Sequence, residues 1–304
     1  MTPRSILHRE CCRLRLRISF AVCIKAYPAP KESAHMLRLS SLYRFPLKSC
    51  KAEPMQRASF DALGLAGDRR WMLVDASNGR FFTQRALPHM SRLSVLWNTS
   101  GGVTLSAPGF EPLDVAIPLD IDSNLRGVTV WRDSLQVPDA GDEAGEWVSR
   151  FIGKPTRMVY LPAERARWIP GGYQTVNDRV SFADGFPLLL IGQGSLDDLS
   201  ARMGRPMEML RFRPNLVIEG AEAFAEDGWK RIRIGDIEFQ LLTPCARCIL
   251  TTVDPATGER SADREPFATL KTYREVEGNV LFGQNVVNEG VGELEVGMSV
   301  EVLE

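Results

Sequence analysis

The sequence predicts a mainly β chain with a few helices (α+β), its strands forming antiparallel, barrel-like sheet. Three observations lead there. From Met36 onward, short alternating or β-branched runs recur with Gly, Pro, Asp and Asn between them, the spacing of strands joined by tight turns. Only two stretches carry a helical pattern with end signals. There is no internal repeat and no low-complexity tract. With 304 residues, 44% apolar and 25% charged, the chain is long enough for two modest domains or one large one.

The first 35 residues stand apart from that pattern. They hold Arg4, Arg9, Arg13, Arg15, Arg17, Lys25 and Lys31 against Glu10 and Glu32, and alternate Arg with Leu or Ile before Pro28 and Pro30. Met36 stands at the join. Three readings of this head stay open: a start that belongs at Met36, a targeting or disordered leader, and a functional basic arm. The apolar run 18–24 is too short for a signal-peptide core, and no stretch reaches the roughly 18 to 20 apolar residues of a membrane span. The location expected is the cytoplasm if the source is bacterial, with organelle targeting by residues 1–35 left open.

Strand-like alternation begins at Leu37-Arg38-Leu39-Ser40. Further strands are predicted at Leu73-Val74 ahead of an Asn78-Gly79 turn, at 93–97, at Val103-Thr104-Leu105, and at Val128-Thr129-Val130-Trp131. Leu216-Val217-Ile218, Ile232-Arg233-Ile234, 237–242 and Val300-Glu301-Val302 complete the set. One helix is predicted over 142–152, with Trp147, Phe151 and Ile152 on one face and Gly153 as its stop. A second is predicted over 195–203, opened by the capping pair Ser195 and Asp198 and ended by Gly204. Residues 161–178, with Pro162, Pro170, Gly171 and Gly172, read as a linker or surface loop between two β units.

Composition removes several chemistries. Lys+Arg 37 against Asp+Glu 38 gives no global field to attract a nucleic acid, and from Met36 onward the body is acidic, with 30 basic and 36 acidic residues. His89 is the sole imidazole of that body, which excludes a multi-histidine metal site and leaves a Ser-His-Asp hydrolase without its G-x-S-x-G turn. Of the six cysteines, Cys11, Cys12 and Cys23 lie in the head, and the three left in the body, Cys50, Cys245 and Cys248, are too few for a secreted disulfide framework. Gly192-Gln193-Gly194-Ser195 after an apolar run resembles a dinucleotide turn, but Asp197 occupies the third glycine position and would repel a pyrophosphate.

The sharper feature is Cys245-Ala246-Arg247-Cys248. A C-x-x-C can be half a zinc knuckle, a thioredoxin-like redox pair, or one ligating cysteine beside a packed neighbour. It can also be two buried small apolar residues. Zinc would lack ligands, since the body adds only Cys50 and His89. A redox pair belongs at a helix N-terminus, whereas Ile249-Leu250-Thr251-Thr252-Val253 is strand-forming. Arg247 between the cysteines can stabilise a thiolate, the soft ligand that a molybdenum or copper centre takes. Cationic residues recur in Lys48-Ser49-Cys50-Lys51, Asp68-Arg69-Arg70-Trp71 and Arg211-Phe212-Arg213-Pro214-Asn215. Converging on one pocket they would suit a phosphate; apart they are surface charges or ion pairs.

These segments, together with residues 43–51 and Phe282-Gly283-Gln284, resemble the MOSC-domain proteins. More narrowly they are similar to the mitochondrial amidoxime-reducing component and its bacterial YcbX-type relatives, from about Leu37 to the end. The resemblance implies a MOSC N-terminal β-barrel-like domain over 36–153 and a MOSC domain over 154–304, jointly holding molybdenum cofactor (Mo-molybdopterin). It implies that Cys248 supplies the protein thiolate to molybdenum. Lys48, Ser49, Arg69, Arg213 and Asn215 fall on pterin- and phosphate-binding positions, and Arg247 precedes the ligand as in relatives, balancing charge around the metal. Asp184 matches an acidic pocket position, to orient the pterin or relay a proton, although Gly185 and Phe186 depart from the small hydroxyl residues of the animal proteins. Pyridoxal phosphate binding comes only as a general association, with no residue assigned.

The implied activity is reduction of a small N-hydroxylated substrate, a hydroxylamine, amidoxime or N-hydroxylated base, to the amine or amidine. No C-x₄-C-x₂-C run is present, so electrons are expected from a separate carrier protein with an iron-sulfur, flavin or haem centre. The alternative is a MOSC protein that binds the cofactor or carries sulfur without reducing anything. A β-rich binding module is a third reading.

Overall fold

The computed structural model describes residues 36–304 apart from 174 and 176; the readings of the basic head fall outside the described residues. The alternation at Leu37 becomes the strand Arg38–Arg44. Leu39 and Leu42 are both fully buried although three residues apart. A bulge between Leu39 and Ser41, where the strand pairs with Leu216–Glu219, returns Leu42 to the core face.

This strand belongs to a nine-stranded sheet in the order Glu53–Met55, Arg38–Arg44, Leu216–Glu219, Leu188–Gly192, Asn279–Glu289, Ile237–Arg247, Arg231–Ile234 and Val300–Val302, with Glu275–Val276 added on Asn279–Glu289. Pairing is antiparallel except between Leu188–Gly192 and Leu216–Glu219. A parallel pair needs a crossover, and a helix, Gln193–Met203, lies in that connection. The sheet curls until its ends meet: the Leu39 N–H donates to the Met298 carbonyl and the Val300 N–H to the Leu37 carbonyl, both at 2.9 Å. The arrangement is the mainly β, barrel-like one predicted.

Strands from early and late in the chain share sheets. Besides Arg38–Arg44, the strand Arg57–Asp61 pairs with Gly292–Glu295. Leu39, Leu42, Leu190, Ile218, Phe239 and Val286 fill the curled sheet. A second core gathers Leu47, Trp71, Leu73, Val95, Leu105, Trp147 and Met158. Leu188–Gly192 is buried throughout because both its faces are covered.

The helix Asp142–Ile152, here α1, has the predicted bounds and the predicted stop at Gly153. The helix Gln193–Met203, α2, starts two residues earlier than predicted, and Ser195 does not cap it. Its hydroxyl instead donates to the buried Glu226 carboxylate at 2.7 Å and accepts from the Phe224 N–H at 2.7 Å. That carboxylate also accepts from the Gly192 N–H at 3.0 Å. A Cβ on Gly192 would lie 2.8 Å from Glu226 Oε2. The glycine therefore admits an internal carboxylate where a dinucleotide turn would admit a pyrophosphate.

Two further departures are local. A third helix, α3, Phe267–Tyr273, was not predicted; it is one pair of turns long and packs Leu270 under α2. The segment after Cys248 is a 3₁₀ turn, Ile249–Thr252, and not a strand. Thr251 and Thr252 hydroxyls donate to the carbonyls of Cys248 and Ile249 at 3.0 and 2.7 Å, a local bonding that competes with sheet pairing. Residues 161–178 are more than a surface loop, since Arg167 is buried, pairs with Asp133 at 2.9 Å, and donates to the Ser181 and Ala183 carbonyls. It thereby holds the approach to Asp184.

Candidate functional site

A cleft of about 140 Å³ is lined by Lys48, Ser49, Arg69, Asp184, Arg213, Asn215, Arg247 and Cys248, which are the eight residues singled out in the sequence. Arg85 and Cys245 line it too. Five cations thus face one carboxylate in a body whose net charge is negative.

The cleft is built at backbone cost. Ser49, Arg69 and Arg213 have left-handed backbones, with φ of 67°, 47° and 58°, a conformation that costs a non-glycine residue about 1–3 kcal/mol. Arg69 is held there by hydrogen bonds from its N–H to the Phe45 carbonyl (2.7 Å) and from the Phe182 N–H to its carbonyl (3.0 Å). Its guanidinium donates to the buried Asp68 carboxylate at 2.5 Å and to Asn215 Oδ1 at 3.0 Å. Asn215 is wholly buried. Its amide also accepts from the Leu189 N–H at 3.2 Å and donates to the Tyr43 carbonyl at 3.1 Å, so it positions Arg69 and ties two strands to it.

Arg69 and Arg213 both stack on Phe45, at 4.4 and 4.2 Å from the ring centroid, which eases the approach of two like charges. The relief is partial. Burial, then the neighbouring Arg69, presses the Arg213 guanidinium down to about 9. One of its nitrogens donates to the Cys50 carbonyl at 2.7 Å, while Nη2 is buried without a partner, as is Nε of Arg247. Unpaired buried donors on cations carry a desolvation cost that a bound anion would offset.

Lys48 Nζ donates to Asp184 Oδ1 at 2.5 Å and to the Phe182 carbonyl at 2.6 Å. Burial lowers its pKa to about 8, against the pull of Asp184. Asp184 lines the cleft with its side chain 61% exposed. Desolvation works against its ionisation, but Lys48, Arg85 and Arg69 hold its pKa well below the usual carboxylate range.

Cys248 is half-buried at the end of Ile237–Arg247. The guanidinium beside it belongs to Arg85, whose Nε lies 3.2 Å from Sγ. Arg247 turns instead to Cys245 Sγ at 3.0 Å and to the Phe212 carbonyl at 2.7 Å. Cys50 is fully buried, and burial pushes its thiol up to about 12. His89 packs on Phe151, 5.5 Å between centroids, and does not line the cleft.

Sequence reasoning missed Arg85 and Trp131, whose indole N–H reaches Asp184 Oδ1 at 3.3 Å. Neither sits in a motif, and 163 residues separate Arg85 from Cys248. Arg70, from the same motif as Arg69, pairs with Asp61 at 2.7 Å outside the cleft.

Two family models match the chain: MOSC N-terminal beta barrel domain over residues 36–155 and MOSC domain over 177–301. Mitochondrial amidoxime-reducing component 1 of Homo sapiens is 32% identical over 87% of this chain and 82% of its own length. The chain belongs to the MOSC-domain family of the amidoxime-reducing components. The Mus musculus component 1 is 33% identical over 87% and 82%, and the human component 2 is 31% identical over 90% and 86%. The MOSC N-terminal match contains Lys48, Ser49, Arg69 and Arg85, and the MOSC match contains Asp184, Arg213, Asn215, Arg247 and Cys248. Two expectations find no support in these MOSC relatives: pyridoxal phosphate binding and a cytoplasmic location, the relatives being named mitochondrial. Among the described residues no helix is long and apolar enough to cross a membrane.

Proposed function

We propose that the cleft holds molybdenum cofactor with Cys248 as the protein ligand to the metal, and that the protein reduces N-hydroxylated compounds to amines or amidines with electrons from a separate carrier. The observation that carries this reading is a half-buried thiol in the wall of a cleft with five cations. The residues fit the group. Buried donors on Arg213 and Arg247 lack partners, which suits a phosphate-bearing ligand. Among the described residues no three metal-ligating side chains converge, so a metal at Cys248 would take its other ligands from the group that brings it. The names of the relatives point to the same chemistry.

When bound, the cofactor supplies the two-electron chemistry that removes an N-hydroxyl oxygen as water. The protein supplies the setting. Lys48, Arg69 and Arg213 neutralise the phosphate, Ser49 hydrogen-bonds it, and Asn215 keeps Arg69 aimed. A carboxylate held as firmly ionised as Asp184 is a poor proton donor near neutral pH. Its part is to orient Lys48 and Arg85, which it holds at 2.5 and 3.3 Å.

The test is reduction of benzamidoxime by the full chain, purified from a host that makes molybdenum cofactor, with a chemically reduced viologen as donor. Wild type turns over, Cys248→Ala does not, and Cys245→Ala keeps much of the rate. Equal rates for wild type and Cys248→Ala would contradict the ligand assignment. Loaded wild type that reduces no N-hydroxylated compound would move the assignment to a cofactor-binding or sulfur-carrying protein.

A further inference from the structure

Arg85 is held from four directions. Its Nε lies 3.2 Å from Cys248 Sγ and its Nη2 3.3 Å from Asp184 Oδ2. Its guanidinium lies 4.8 Å from the centroid of the Trp131 ring, and Arg260 donates to its backbone carbonyl. Trp131 turns over it from the tight turn between Leu125–Val130 and Asp133–Pro138, with a left-handed backbone at φ 55° and its indole N–H on the same Asp184 carboxylate. An exposed Arg–Asp pair alone would be worth little. Here one planar fork is divided between a sulfur and a carboxylate, with a strained aromatic fixing its plane.

We propose that Arg85 is a positioning residue that sets the electrostatics of the Cys248 sulfur, with Asp184 as its counterweight; this rests on the reading of Cys248 as metal ligand. Hydrogen bonds and positive charge at a ligand sulfur withdraw electron density from it and stabilise the reduced centre. Arg85 therefore raises the reduction potential of a metal held by Cys248. Asp184 lowers it, by drawing part of the guanidinium's charge away and adding a negative one. The opposition in sign separates this role from a structural one, since misfolding around the cleft would not move the potential one way for one partner and the other way for the other.

The experiment uses full-length wild type, Arg85→Met, Arg85→Lys and Asp184→Asn, each purified from a host competent in molybdenum cofactor. Molybdenum and released pterin per chain are measured first, then the midpoint potentials by redox titration followed through the paramagnetic molybdenum signal. Arg85→Met shifts the potential to more negative values, Arg85→Lys shifts it the same way by less, and Asp184→Asn shifts it to more positive values. Arg85→Met also holds its cofactor about 10-fold more weakly, the usual scale for loss of a partner to a metal ligand. If Arg85→Met does not load, Arg85→Lys and Asp184→Asn still carry the opposed signs. Loaded proteins with equal potentials, or shifts of one sign for both positions, would overturn the role of Arg85 alone. Wild type without molybdenum or pterin would overturn the functional reading, and the role of Arg85 with it.

Discussion

Lys48 shows at the scale of one residue how the cleft is prepared for an anion. Burial lowers its pKa to about 8, while Asp184, 2.5 Å away, pulls the other way. The sign follows directly. Below 8 the ammonium is present, and as pH rises through 8 it is lost, so affinity for an anion falls with it, by up to about tenfold per pH unit. Calorimetric binding of inorganic sulfate, whose own charge is constant over this range, to cofactor-free protein below and above pH 8 reads the effect. Lys48→Met is expected to bind more weakly and to lose the fall centred near pH 8, keeping only the one that Arg213 adds nearer 9. A wild-type affinity unchanged through that range would show that Lys48 does not contribute its charge to the anion site.

Elements explain why some of the motif residues stand where they do. Gly283, in Phe282-Gly283-Gln284, sits within the strand Asn279–Glu289 at φ 77°, where a Cβ would lie 2.6 Å from Ile191 Cγ1 and 2.8 Å from the Leu190 carbonyl. Its neighbours are anchored: Phe282 packs on Phe212 at 4.4 Å and Gln284 donates to Asp227 at 2.7 Å. Gly283→Ala is expected to lower the unfolding free energy by about 2 kcal/mol, through both the backbone conformation and the clash. Urea denaturation checks it; an unchanged midpoint would mean that the strand shifts freely.

The same scale shows what could be read from the chain. Alternation marked strands such as Arg231–Ile234 and the first half of Ile237–Arg247 because one face of each is buried, and the apolar face with a terminal glycine marked Asp142–Ile152. The start of α2 was misplaced because Ser195, a good cap by type, bonds to Glu226 from 31 residues away. α3 is too short to show a period. Within the cleft, residue types were legible and convergence was not: Lys48 meets Asp184 across 136 residues. Arg85 left no local mark at all, because only its long-range partners distinguish it from a surface arginine.

For the whole molecule, the cleft matters because both family regions build it. Strands from the two regions share one curled sheet, which holds the cations of the first against the thiol of the second. Five cations in one cleft of an acidic body focus an anionic ligand there while the rest of the surface repels it. A ligand that bridges the two sets stabilises the fold as a unit. The account turns on Cys248 as the point where such a ligand is fixed. The measurement that tests it most directly is molybdenum and released pterin per chain, in full-length wild type and Cys248→Ala purified side by side from a host able to make the cofactor. About one molybdenum and one pterin per wild-type chain, with molybdenum largely lost in Cys248→Ala, is the predicted result. Folded wild type carrying neither, or a Cys248→Ala protein carrying as much molybdenum as wild type, would contradict it.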